Sequence, residues 1–149
     1  LRAVVQRVTR AAVSIDDEEV GKIGRGLAVF LGIGSDDDEK DIEYLVDRTV
    51  NLRVFPDEDG KMNVSTLDAA ADVLLVSQFT LYGDCRGGRR PSFVDAAPPD
   101  RARSLYETFI ERMEEYPLEV ATGEFGAFML VDLENWGPVT LLLDSDKKF

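Results

Sequence analysis

Two nearly continuous apolar runs constrain this chain more than any other feature of its sequence. Gly26-Leu27-Ala28-Val29-Phe30-Leu31-Gly32-Ile33-Gly34 and Ala71-Asp72-Val73-Leu74-Leu75-Val76-Ser77-Gln78-Phe79 carry apolar residues at odd and even positions alike. A strand with one wet face alternates, whereas a strand that is apolar throughout is covered on both faces. The chain therefore needs a sheet with packed material on either side. Its 149 residues are enough for one domain, 1–149, with a sizeable core.

Weaker signals fill in around these runs. Residues 2–8 and 11–15 alternate as two strands, and Asp16-Asp17-Glu18-Glu19 reads as the turn between hairpin arms. Ser35 is expected to cap a helix whose first turn holds Asp36, Asp37, Asp38 and Glu39, with Ile42, Leu45, Val46 and Val50 on its inner face. A helix start explains the acidic run more simply than a hard-metal site. A short strand at 52–55 leads to the turn Pro56-Asp57-Glu58-Asp59-Gly60, which lacks the further ligands of a calcium loop. Pro98-Pro99-Asp100 opens a second helix with Ala102, Leu105, Tyr106, Phe109, Ile110 and Met113 on one stripe, and three strands close the chain at 117–121, 125–133 and 139–143. The order βββ–α–β–β–α–βββ implies an α+β domain, a curled, mainly antiparallel, barrel-like sheet covered by two helices.

Composition narrows the chemistry. The 44% hydrophobic and 31% charged content is that of a soluble globular chain, and no apolar run approaches the roughly 20 residues that span a bilayer, so no membrane partner is expected. Residues 1–8 lack the long apolar core of a signal peptide, and a lone Cys85 forms no internal disulfide, so the cytoplasm is the expected compartment. Histidine is absent, which removes the Ser-His-Asp and Cys-His arrangements, the common zinc sites and the usual neutral-pH base. No metal and no cofactor is expected. A net charge of −12 argues against broad binding to DNA or RNA backbone, though not against contact with a few terminal nucleotides. Between Arg86 and Arg103 five arginines face only Asp95 and Asp100, a stretch that is either a solvated loop and helix start or an RNA-facing surface.

Candidate chemistry sits in two places. Ser77-Gln78-Phe79-Thr80 ends a buried strand, where Ser and Thr either bond the local backbone or leave main-chain N–H groups of Phe79 and Thr80 to act as an oxyanion hole. Thr80 as a nucleophile has no base beside it in sequence. Gly137-Pro138, in Asn135-Trp136-Gly137-Pro138-Val139-Thr140, is either a tight turn between strands 125–133 and 139–143 or a cis peptide turning two carbonyls the same way.

Ser77-Gln78-Phe79-Thr80-Leu81-Tyr82-Gly83-Asp84 and Asn135–Thr140 together resemble the two signature motifs of the D-aminoacyl-tRNA deacylases. Arg2-Ala3-Val4-Val5-Gln6-Arg7-Val8, Gly60-Lys61-Met62-Asn63-Val64-Ser65, Arg90-Pro91-Ser92-Phe93 and Thr122-Gly123-Glu124-Phe125-Gly126-Ala127-x-Met129 extend the resemblance over nearly the whole chain. One departure is Trp136, where the family usually carries Asp. The resemblance implies a homodimeric esterase acting on the 3′ end of a D-aminoacyl-tRNA. Ser77, Gln78, Phe79 and Thr80 would line the scissile ester, and Gly137 and Pro138 would reach into the partner's site to reject L-amino acids. Phe125, Gly126 and Met129 would hold the terminal adenosine, Arg7 would brace the Gly-Pro segment, and the adenosine 2′-OH would assist catalysis. Two other readings stay open: a non-catalytic RNA-end or small-ligand binder, and a Thr80-dependent esterase of small molecules.

Overall fold

The computed structural model describes residues 1–149. The elements are β1 (Arg2–Ile15), β2 (Glu18–Ile23), β3 (Gly26–Gly32), α1 (Glu39–Asn51), β4 (Phe55–Pro56), β5 (Met62–Val64), β6 (Asp72–Ser77), a 3₁₀ turn (Phe79–Tyr82), α2 (Pro99–Glu114), β7 (Val120–Thr122) and β8 (Leu130–Asp144). This is the expected α+β architecture, a curled sheet carrying two helices. No helix is long and apolar enough to cross a membrane.

β1 organises the sheet. It pairs antiparallel with β3 over its first half, with β2 over its second half and with β8 along nearly its whole length. β3 then pairs in parallel with β6, and β6 in parallel with β7. Curling brings β2 back towards β7, so closely that a Cβ on Gly21 would stand 2.5 Å from the Thr122 carbonyl oxygen. β4 and β5 form a separate two-stranded hairpin.

The two apolar runs are buried on both faces, as their composition requires. Leu27, Val29 and Leu31 of β3 and Val73 and Leu75 of β6 pack towards α1 and α2, in one core that also holds Ile42, Leu45, Phe109 and Met113. Ala28, Leu74 and Val76 point the other way and join Val8, Ala11, Val13 and Ile23 in a smaller second core. β1 serves both: Ala3 and Val5 belong to the helix-side core, Val8, Ala11 and Val13 to the other.

That division corrects the two-strand reading of 2–8 and 11–15. The alternation breaks at Thr9 and Arg10, both exposed, but the chain does not turn there. The register against β8 shifts between Val8 and Arg10, and the same strand continues with its buried residues in the other core. The closing strands differ likewise. Residues 125–129 lie outside any strand, β7 covers 120–122 rather than 117–121, and 130–144 is one strand with Gly137-Pro138 inside it rather than two joined by a turn. Residues 52–55 contribute only Phe55 to β4.

α1 begins later than expected. Asp38, not Ser35, is the cap: its carboxylate accepts from the Lys40 N–H at 2.8 Å, while its own N–H donates to Asp41 at 2.8 Å, a reciprocal box that outcompetes a lone serine. Asp37 instead turns inward and accepts from the Gly34 N–H at 2.6 Å. Proline at the first helical position opens α2 as its sequence suggests.

Gly26 marks the closest approach in the sheet. A Cβ there would lie 2.0 Å from the Asp72 carbonyl oxygen, so backbone would have to move. Gly26→Ala is expected to cost about 2–3 kcal/mol, the upper part of the range for overpacking, read as a lower midpoint in urea unfolding. A variant with unchanged midpoint would show that β3 and β6 can separate freely at that end.

Candidate active site

The parallel β3–β6 pair ends at one edge, with Leu31 beside Ser77, and a cleft of about 670 Å³ opens there. Open α/β sheets place ligands at the same edge, because there the chain leaves the ladder and its polar groups become free. Leu31 and Ile33 contribute from the end of β3, Ser77 to Phe79 from the end of β6, and Phe93 from the following loop. The start of α2 and the segment Phe125–Met129 complete it. No charged side chain lines it.

The wall at Ser77–Thr80 is built by a change of backbone course. Gln78 still donates its N–H to the Leu31 carbonyl at 2.8 Å, then the chain enters the 3₁₀ turn, closed by the Gly83 N–H on the Thr80 carbonyl at 2.9 Å. The first N–H groups of such a turn have no partner within it, so those of Phe79, which lines the cleft, and of Thr80, next to it in the chain, stay free. Gln78 Nε2 donates to Thr80 Oγ1 at 2.5 Å. Thr80 itself is exposed and does not line the cleft. The turn is braced from behind. Arg2 donates to the Leu81 carbonyl at 3.1 Å with its guanidinium 4.4 Å from the Tyr82 ring centroid. Tyr82 Oη donates to Asp37 at 3.3 Å, and burial, then the neighbouring Asp37 charge, pushes its phenol well above the ordinary tyrosine range.

Aromatic residues frame the opening. Phe79 meets Phe93 edge to face at 5.0 Å, and the loop before Phe93 is tied by paired hydrogen bonds between Asp84 and Ser92. Opposite, Phe125 leans on Tyr106 of α2 at 5.8 Å, and Tyr106 Oη donates to the Leu75 carbonyl at 3.0 Å. Gly126 has φ +79°, a left-handed conformation that glycine adopts freely. Met129 packs where a side chain on Gly123 would stand, 2.6 Å from such a Cβ. Phe125, Gly126 and Met129 thus share one cleft with Ser77, Gln78 and Phe79.

Gly137, Pro138 and Arg7 do not. Gln6 pairs with Thr140 and Val8 with Asn135, so the single residue Arg7 faces four, Trp136 to Val139, which bulge from the ladder. Asn135 clamps the base of this bulge, accepting from the Val139 N–H at 2.7 Å and donating to the Val139 carbonyl at 3.1 Å. The Gly137-Pro138 bond is cis, and both residues are exposed. Arg7, only 9% exposed, donates to the Trp136 carbonyl at 2.9 Å and to the Val54 carbonyl at 2.6 Å. Its guanidinium stacks 4.3 Å from the Trp136 centroid, and Arg25 covers the same ring at 4.4 Å. Burial, and then the Arg25 charge, holds the Arg7 pKa below its ordinary value. Neither Arg25 nor the role of Trp136 carries a signal in the sequence; the bulge joins residues separated by more than a hundred positions. Nor do His, Cys, Asp and Glu side chains gather in any group of three able to hold a metal ion.

Measured along the register, Arg7 aligns with Leu27 and Val73, four residues short of Ser77. The bulge is therefore offset from Ser77 by roughly 13 Å along the strands and, counted along the sheet across three strand spacings, roughly 14 Å laterally.

A family model described as D-Tyr-tRNA(Tyr) deacylase matches residues 4–144 of this chain. The chain belongs to that family. It is 59% identical over 150 residues to the D-aminoacyl-tRNA deacylase of Thermosipho melanesiensis, with 100% of both chains covered. It is 58% identical to the one of Thermotoga petrophila, again over the full length of both. Among solved structures, the c-Myc DNA unwinding element binding protein superposes with a TM-score of 0.92 at 44% identity, over 97% of this chain and 98% of that one. A probable eukaryotic D-amino acid tRNA deacylase, at 19% identity over 95% and 97%, shares the fold with a TM-score of 0.84.

Replacing Arg7 by Met would leave two carbonyls, of Trp136 and Val54, without their charged donor. The expected loss is about 2–3 kcal/mol of stability, read from the urea midpoint. A loss below about 0.5 kcal/mol would mean that neither bond matters to the folded state.

Proposed function

We propose that the protein hydrolyses the ester joining a D-amino acid to the 3′ end of tRNA, releasing free D-amino acid and tRNA. The observation that carries the reading is one uncharged cleft shared by Ser77–Phe79, with its free main-chain donors, and Phe125–Met129, with its aromatic and flexible apolar surface. An aminoacyl ester is already labile. Holding it still and stabilising the developing oxyanion with the Phe79 and Thr80 N–H groups is chemistry enough without histidine. The terminal adenosine would pack against Phe125, Gly126 and Met129, and its 2′-OH would assist attack. The full-length likeness to deacylases of Thermosipho and Thermotoga supports this substrate class.

In this reading the enzyme is a cytoplasmic two-fold dimer in which Gly137-Pro138 of one protomer enters the cleft of its partner and excludes L side chains. Support comes from the topology: the bulge is exposed, braced by Arg7 and Asn135, and offset from Ser77 of its own chain. β8 is paired only through β1, so its outer edge is free, and Phe128, Leu130 and Leu142 lie exposed on or beside it at 90%, 62% and 54%. A filter that only rejects side chains has nothing to reject in glycine, so glycyl-tRNA is a substrate too.

The deciding assay compares D-tyrosyl-tRNA with L-tyrosyl-tRNA: rapid cleavage of the D ester alone is expected, no turnover of either would favour an RNA-end binder, and equal cleavage would remove the chiral filter. Glycyl-tRNA is expected to be cleaved measurably; inertness there, with D esters cleaved, would require a filter beyond rejection.

Thr80→Ala separates the mechanisms. Removal of a covalent nucleophile costs several orders of magnitude, whereas removal of a side chain beside main-chain donors is expected to cost about tenfold or less in kcat. A substrate ending in 2′-deoxyadenosine should instead react far more slowly. Normal turnover of that substrate, with collapse of Thr80→Ala, would return the chemistry to the hydroxyl.

A further inference from the structure

We propose that Arg103 binds the phosphate linking the terminal nucleotide to the rest of the RNA strand, which makes it a substrate-binding residue at the rim of the cleft. The proposal rests on the deacylase reading above and adds to it where the RNA backbone leaves the site.

The cleft accepts uncharged groups and has no charged side chain of its own. A base, a sugar and an ester can enter it, but the phosphate that follows has to stop at its mouth. A chain of net charge −12 repels RNA at long range, so that phosphate needs a local cation. Most arginines of the basic stretch are unsuited to the task. Arg86 pairs with Asp84 at 2.8 Å, and Arg101 donates to the Asp37 carbonyl. Arg89 and Arg90 are exposed in the loop before Phe93 and do not line the cleft.

Arg103 is different. It follows Ala102, which lines the cleft, and its guanidinium lies 4.9 Å from the ring centroid of Phe125, which also lines it. A Cβ on Gly126, another lining residue, would stand 4.0 Å from an Arg103 terminal nitrogen and would meet nothing else. The side chain is exposed and belongs to no ion pair. An aromatic face, not a carboxylate, therefore holds the cation in place. Its N–H donors stay free, in the planar fork that suits phosphate oxygens. Glycine at 126 keeps a side chain from standing between the guanidinium and the residues that would hold the adenosine.

The test uses two esters that differ only in the group at issue: 3′-O-D-tyrosyl-adenosine with a free 5′-hydroxyl, and the same compound carrying a 5′-methylphosphate. With the wild-type protein the methylphosphate is expected to lower KM about tenfold, as one charge-assisted contact does. Arg103→Gln should abolish that advantage, and Arg103→Lys, which keeps the charge and loses the fork, should restore part of it. Circular dichroism and thermal melting establish that each variant is folded. Equal rises in KM for both esters would overturn the proposal, leaving Arg103 a support for Phe125, and so would a wild-type protein indifferent to the methylphosphate. If the wild type cleaves neither ester, nor D-tyrosyl-tRNA, the deacylase reading itself fails. Cleavage of the tRNA and of both small esters with the same KM removes the phosphate contact alone.

Discussion

Burial of β3 and β6 on both faces is the constraint from which the rest of the molecule follows. Strands apolar at every position have no wet side, so helices must cover one face and the curl of the sheet the other. Parallel pairing then brings both strands to an end at the same edge. Backbone that can no longer bond within the ladder has to go elsewhere at that edge, and in this protein it becomes the wall of the cleft. The tight approach at Gly26 and the Tyr106 hydroxyl on the Leu75 carbonyl keep β3 and α2 in register with β6. The position of Phe79 is thus a consequence of core packing along β6 and its neighbour β3.

The second motif obeys a different logic. Its residues are extruded from a ladder that continues on both sides, so the segment cannot drift along the sheet without breaking pairs at Thr140 and Asn135. Arg7 is inserted opposite it, stripped of solvent yet compensated by two carbonyls and an indole rather than by an acid. Trp136 meets both Arg7 and Arg25 through its ring face. The π face attracts both guanidinium groups without carrying a formal charge of its own.

Legibility in the sequence followed the range of the interaction. The apolar runs and the inner stripes of both helices were readable because burial imposes a period that a single segment displays. Asp38 displaced Ser35 because a reciprocal box depends on a second residue, Asp41, and rival caps in one acidic run are hard to rank. β1 was divided at Thr9 and Arg10 because a bulge and a turn interrupt alternation in the same way. The continuity of β8 across Gly137-Pro138 was invisible for a deeper reason: it is maintained by β1, more than a hundred residues away. The residues of the cleft were readable as a set only through motifs, and Arg103 only as one of five arginines in a basic stretch, whereas Arg25 acts through contacts that no local pattern encodes.

The uncharged lining of the cleft has one more consequence. An enzyme whose site contains an imidazole or a perturbed carboxylate senses the acidity of its surroundings through its own groups. Here, nothing lining the cleft exchanges a proton near neutrality, and the chain contains no histidine anywhere. An aminoacyl ester, by contrast, brings an amine that titrates in that range. On the proposed reading, the group that titrates near neutrality is then carried in and out with each substrate molecule.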